Sequence, residues 1–89
     1  MTTTVWKYDL KIVDVQRIEM PVMAKLLCVQ VQAGIPELWV LVNPDAPKEL
    51  RTIATVGTGH LVELTLGEYV GTYQIADESL VFHVFDGLF

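Results

Sequence analysis

One short segment of the chain combines residue types that can bind anions: Gly57, Thr58, Gly59 and His60 directly follow a run that is typical of a β-strand. Backbone N–H groups of a glycine-rich loop bind phosphate where a helix follows, and a P-loop also supplies a lysine. Here no lysine follows, and the next residues alternate as in a second strand. Because glycine permits positive φ angles, the segment is equally typical of a hairpin turn. We interpret it as a turn and keep a ligand-binding loop as the alternative.

The two histidines are the other candidates for chemistry. His60 ends the glycine turn, and His83 lies in the last apolar run, a position typical of a core or interface histidine bonded to backbone. If the two met across a sheet, Glu63 or Asp86 would complete a metal triad, but their spacing does not specify one. We therefore predict no metal site and no cofactor.

Nucleophilic catalysis has little support in the sequence. Cys28 lies in an apolar strand pattern and Ser79 in an acidic turn, and neither has a neighbour suited to act as a base. The adjacent carboxylates Asp77 and Glu78 would point apart in a turn. A chain of 89 residues also has little volume for a pocket. We predict no catalytic residues and a non-enzymatic protein.

Strands must position these residues, because apolar and polar residues alternate with a period of two along most of the chain. The clearest signal is a hairpin in which Leu38, Val40 and Val42 form the apolar stripe of the second strand. Segment 43–51 is the one place where a helical turn is indicated. Strands are predicted around residues 6–12, 18–20, 27–32, 38–42, 51–56, 62–66, 69–75 and 80–85. We predict one all-β domain over residues 1–89, sandwich-like or barrel-like, with seven or eight short, mostly antiparallel strands.

Charge and hydropathy restrict the partners. The net charge is −5, and residues 57–89 contain acidic residues but no lysine or arginine, so we expect no direct binding of nucleic acid. No apolar run approaches the ~20 residues of a membrane helix, and the first residues lack the features of a secretory signal. With a single cysteine, the sequence fits a reducing cytoplasm.

The apolar content, 52%, is typical either of an efficient small core or of a surface that is covered by another copy or another protein. We expect a homo-oligomer, a dimer or larger. Trp39 lies opposite the apolar stripe of its strand and is a candidate for protein binding, although packing between two sheets explains its position equally well. The acidic residues of the last third are typical of a solvated surface that aids solubility. The alternative is a face for a basic partner, with the protein-binding candidates Glu63, Glu68, Asp77 and Glu78.

The order of segments "WKYDL", "IEMP", "AKLLCVQVQAGIPELWVLVNPDAP", "RTIATVGTGH", "YVGTYQ" and "LVFHVF" resembles a family of small uncharacterised proteins of phage and prophage genomes. The resemblance covers nearly the whole chain. It implies a bacterial host as the setting, and it assigns no activity to any residue.

Three functions follow from these observations. The first is a non-enzymatic phage or prophage accessory protein that binds a bacterial host protein or other macromolecule and inhibits a host defence system. The second is a protein that sequesters a nucleotide signal with residues 57–60. The third is a minor structural protein of the virion.

Overall fold

The computed structural model describes residues 2–77 and 79–89, and these residues form seven β-strands and no helix. The strands are β1 (Thr4–Asp9), β2 (Val15–Pro21), β3 (Lys25–Gln32), β4 (Ile35–Val42), β5 (Lys48–Gly57), β6 (Leu66–Ile75) and β7 (Leu80–Leu88). The predicted all-β class is confirmed. No helix in the described part of the chain is long and apolar enough to cross a membrane.

The strands form two antiparallel sheets, one in the order β1-β4-β3 and one in the order β2-β5-β7-β6. The chain passes between the sheets after β1, after β2 and after β4, so consecutive strands often lie in different layers. This arrangement is sandwich-like, as the sequence predicted.

The core lies between the two sheets. Alternation along β4 turns Leu38, Val40 and Val42 inward, which confirms the predicted apolar stripe. Each fully buried side chain of this size contributes about 1.5–3 kcal/mol through removal of apolar surface from water. Their largest fully buried partners from the other sheet are Met20, Ile53 and Val84.

The two sheets approach each other most closely where β3 lies against β6. A Cβ on Gly71 of β6 would lie 3.2 Å from the backbone nitrogen of Val29 on β3. A larger residue would push the strands apart, and this close approach explains the glycine, which directly follows a register shift in the pairing of β6 with β7.

A bidentate ion pair joins the neighbouring strands β5 and β7. Arg51 donates from Nε and Nη2 to the carboxylate of Asp86 over 2.9 and 2.7 Å, and from Nη1 to the carbonyl of Ala24 over 2.9 Å. The hydrogen bond that Arg51 donates to the carboxylate of Asp86 raises the pKa of Arg51 above its usual value. Three of the five N–H donors of this guanidinium are therefore used within the fold, two of them on a carboxylate that neutralises its charge.

Two local predictions are wrong. In segment 43–51 the expected helical turn is a tight turn at Asn43, whose carbonyl accepts from Ala46 and whose side chain accepts from the N–H of Asp45. Strand β5 then begins at Lys48, since its residues pair with β2.

The strand expected at 62–66 is an irregular connection instead, and β6 begins only at Leu66. The reason is topological. Because β7 lies between β5 and β6, those two strands run parallel, and the chain after β5 must return the length of the sheet before β6 begins. A hairpin cannot make that connection. We call residues 58–65 the return loop.

Candidate functional site

Residues 57–60 form a tight turn at the start of the return loop. The N–H of His60 donates to the carbonyl of Gly57 over 3.0 Å, and Gly59 has a φ of +83°. A positive φ at the third position is the mark of a type II turn, which favours glycine there. The segment is a turn, as interpreted from the sequence, but it does not join two neighbouring strands.

Gly57 has a second role, close packing. A Cβ on Gly57 would lie 2.9 Å from Cε1 and Nδ1 of His60, so the imidazole lies directly on the glycine. By strand alternation this is the side of β5 that also carries Ile53 and Thr55. His60 therefore folds back over the strand end rather than forming a phosphate cradle.

Thr58 is tied to the sheet through His83. The Thr58 hydroxyl lies 2.6 Å from Nε2 of His83, and Nδ1 of His83 lies 2.9 Å from the hydroxyl of Thr72. The Thr72 hydroxyl in turn lies 2.7 Å from that of Tyr69. This chain of side chains links the return loop to β6 and β7.

The expectation that His83 bonds to backbone is wrong, because both of its ring nitrogens bond threonine hydroxyls. The triad that His60, His83 and a carboxylate would have formed is absent. Across residues 2–77 and 79–89, no group of three histidine, cysteine, aspartate or glutamate residues has the arrangement of a metal site.

The return loop borders an open cavity of about 440 Å³. Its walls come from the end of β5, the residues before and at the start of β2, the return loop, and the paired ends of β6 and β7. The lining residues are Asp14, Val15, Ala54, Thr55, Val56, Gly57, His60, Leu61, Val62, Glu63, Leu64, Leu66 and Leu88. The predicted residues Gly57, His60 and Glu63 thus share one site.

The rim of this cavity is apolar and exposed. Leu61 is 99% exposed, and Val62, Leu64 and Val15 are also exposed, although each is a large aliphatic side chain. Exposed aliphatic side chains clustered on a loop beside a cavity are typical of an interaction site.

The wall of the cavity holds one polar group without a partner. Thr55 is 6% exposed, and its hydroxyl oxygen is buried with no hydrogen-bond partner among the described residues. The N–H of Thr55 donates to the carbonyl of Asp14 over 2.9 Å, which places Asp14 opposite Thr55 at the strand edge. A buried hydroxyl without a partner costs free energy, and a bound group that hydrogen-bonds it removes that cost.

The charges around the cavity argue against an anionic ligand. Asp14 and Glu63 line it, and no lysine or arginine does. Arg51, which could have supplied positive charge for a nucleotide, is held by Asp86. The cavity suits an apolar group, or a positively charged one on an apolar stem.

The acidic residues predicted to form one face are not brought together. Glu63 lines the cavity, while Glu68 lies on β6 close to Arg51 and Asp86. Asp77 lies in the turn beyond the other end of β6, about 25 Å along the strand from Glu68 at the usual rise per residue. Glu78 lies outside the described residues.

Trp39 lies on the outer face of the three-stranded sheet, away from the cavity walls. The amino group of Lys7 lies 5.7 Å from the centre of the Trp39 ring. The indole N–H of Trp39 is buried and has no hydrogen-bond partner in the part of the chain that the structure describes. Its neighbour on the strand face, Glu37, is 3% exposed, and a hydrogen bond with Asp9, together with desolvation, raises the pKa of Glu37. Trp39 and the return loop are therefore separate surfaces.

Sequence reasoning missed Asp14 and Thr55 as parts of this region, and it did not link His83 to Thr58. Alternation did put Thr55 on the face of Ile53, but which loop covers it depends on the order of strands in the sheet. The contact of Thr58 with His83 depends equally on a pairing register that the sequence does not state.

A family model described as a domain of unknown function, DUF7352, matches residues 1–88. The chain belongs to that family. No curated protein and no solved structure matches the chain significantly.

Proposed function

We propose that this member of the DUF7352 family is a non-enzymatic binding protein that docks a segment of another protein in the cavity beside the return loop. The observation that carries the proposal is the exposed aliphatic rim, above all Leu61 and Leu64, on a loop that borders a cavity with an unpartnered hydroxyl. Burial of such side chains against a partner is the main favourable term in protein association.

The resemblance to phage and prophage proteins supports a more specific form of the proposal. In that setting the partner is a protein of the bacterial host cytoplasm, and binding inhibits it, as a component of a defence system. A net charge of −5, with no lysine or arginine in 57–89, favours a partner whose docking segment is basic.

Sequestration of a nucleotide is the weaker alternative. It needs cations near the glycine turn, whereas the cavity is lined by two carboxylates and no lysine or arginine. Thermal stability that rises in the presence of a cyclic or linear nucleotide would support this alternative against the docking of a protein.

We also propose that copies of the chain associate. Strand β1 pairs only with β4 within the described residues, so its other edge is open. Val5 on this strand is exposed, as are Ile12 and Val13 in the connection that follows it. Light scattering after size-exclusion chromatography should give a mass above 10.0 kDa at micromolar concentration. A monomer under those conditions overturns this part.

Substitution of the rim tests the docking function. Tagged wild-type protein and the variants Leu61→Glu, Leu64→Glu and Leu27→Glu are expressed in bacteria, and retained proteins are quantified. Leu27 is an exposed leucine on β3 that does not line the cavity, so its variant is the matched control. A partner retained by wild type and by Leu27→Glu but lost from both rim variants supports the proposal. Equal retention by all four proteins, or by none, contradicts it.

A further inference from the structure

From the contents of the cavity we infer that its occupant is a cationic side chain, an arginine or a lysine, presented by the docked segment. This inference rests on the proposed function and specifies the chemistry of its anchor. Three observations carry it: an unpartnered hydroxyl in the wall, two carboxylates without cations, and walls suited to an aliphatic stem.

The hydroxyl of Thr55 is the first of the three observations. Its oxygen is buried and lacks a partner, while its residue is 6% exposed and lines the cavity. A guanidinium or ammonium group carries several N–H donors and no acceptor, so it satisfies this oxygen once the Thr55 side chain rotates to turn its covered hydroxyl into the cavity. An aliphatic occupant would leave the oxygen unpaired at a free-energy cost.

The carboxylates are the second. Asp14 and Glu63 both line the cavity, and the ion pair that the described residues form, between Arg51 and Asp86, involves neither of them. His60 is the remaining titratable group in the lining. A cation brought into this site gains charge-assisted hydrogen bonds, which are stronger than those between neutral groups.

The walls are the third. Val15, Val56, Leu66 and Leu88 line the cavity together with the rim leucines. Arginine and lysine bury their methylene stems against apolar surface while the charged head reaches polar groups. The volume, about 440 Å³, accommodates one such side chain within the range of ordinary ligand sites.

Peptides that carry arginine or citrulline form a matched pair that separates the effect of charge from the effect of shape. The probes are capped pentapeptides of alanine with arginine, lysine, citrulline, leucine or glutamate at the centre, titrated to millimolar concentration into ¹⁵N-labelled protein. Citrulline has nearly the shape of arginine without its charge. We expect the arginine and lysine peptides to shift the amide signals of Asp14, Thr55 and residues 60–64.

Arginine should bind at least about tenfold more tightly than citrulline, because the charge-assisted bonds are lost in the neutral isostere. Its affinity should fall with rising salt, since partly exposed charges are screened. The variants Thr55→Val, Asp14→Asn and Glu63→Gln should each weaken binding of the arginine peptide. Glu19→Gln is the control with the same loss of charge, since Glu19 is exposed on β2 and does not line the cavity.

Equal binding of citrulline and arginine, shifts confined to other residues, or no shifts at millimolar concentration would each overturn the inference. These results are distinguishable from failure of the docking function. A partner lost from the rim variants, combined with equal binding of the two peptides, keeps the docking function and rejects the cationic anchor. Binding of the arginine peptide without any such partner retains the cation site and rejects the docking function.

Discussion

The hydroxyl of Thr58 lies 2.6 Å from Nε2 of His83, and this contact ties the first residue of the return loop to strand β7. A backbone bond from the N–H of Thr58 to the carbonyl of Val81, 3.2 Å long, reinforces it. The loop that borders the cavity is therefore held at its start, while its aliphatic residues beyond the turn remain exposed.

Removal of the Thr58 hydroxyl should loosen the return loop. Thr58→Val is expected to lower the free energy of unfolding by about 1 kcal/mol, the usual net value of one hydrogen bond. Amide hydrogen exchange should accelerate in residues 58–65 more than elsewhere. Thr4→Val is the control, because Thr4 is exposed on β1 and makes no side-chain hydrogen bond of its own. Equal acceleration in both variants would show that the contact does not hold the loop.

Gly57 and His60 should be energetically coupled. In Gly57→Ala the new Cβ meets the imidazole at 2.9 Å, and we expect a loss of about 1 kcal/mol in stability from overpacking. In a His60→Ala background the same change should cost nothing, because the obstructing ring is gone. Urea denaturation of the wild type, both single variants and the double variant measures the coupling. Additive effects would mean that the ring does not pack on Gly57.

Two segments with the same alternation of apolar and polar residues differ in the structure that they adopt. The alternation of Leu38, Val40 and Val42 predicted a strand, and β4 has exactly that buried stripe. The alternation of Val62, Leu64 and Leu66 predicted another strand, yet only Leu66 belongs to one. The difference is non-local: β7, which comes later in the chain, pairs with β5 and displaces β6 from that position.

The cavity was beyond prediction for the same reason. The glycine turn was recognisable from residue types alone, because Gly59 needs a positive φ. Nothing in the sequence places Asp14 opposite Thr55, since 40 positions separate them and only the β2–β5 register brings them together. The acidic residues do not form the single face considered from the sequence, because Glu68 lies near the start of β6 and Asp77 lies beyond its end.

Glu37 should give stability a dependence on pH. Its pKa is raised above the usual 4.5, first by the hydrogen bond with Asp9 and then by desolvation. The folded state therefore holds this proton more tightly than the unfolded state. Stability from this group is complete below pH 4.5 and is lost as pH rises through the folded-state pKa.

Replacement of Glu37 by glutamine should remove that loss. Glu37→Gln is expected to be more stable than wild type at neutral pH and to converge with it in acid, as measured by urea denaturation across that range. Glu19→Gln, an exposed carboxylate on β2, is the control. A wild type whose stability rises relative to Glu37→Gln as pH increases would contradict the assigned shift.

The pair of Arg51 and Asp86 should stabilise the junction of β5, β7 and the turn after β2. Arg51→Met keeps most of the apolar stem but leaves the carboxylate of Asp86 and the carbonyl of Ala24 without their donor. We expect a loss of about 1–3 kcal/mol, since a charged hydrogen-bonding group loses its partner in a partly buried place. Chemical denaturation measures this loss of stability, and Arg17→Met is the control because Arg17 is an exposed residue of β2. A loss no greater than in the control would show that the pair contributes little.

Site-specific photocross-linking tests the central claim, that the cavity beside the return loop is the docking site. A benzophenone amino acid is introduced at Leu64 on the rim or at Leu27 on β3, in bacterial cells, and the adducts are identified by mass spectrometry. The claim predicts a discrete adduct with another protein from position 64, absent from position 27 and lost when Leu61→Glu is added. The same adducts from both positions, or adducts from position 64 that survive Leu61→Glu, would contradict it.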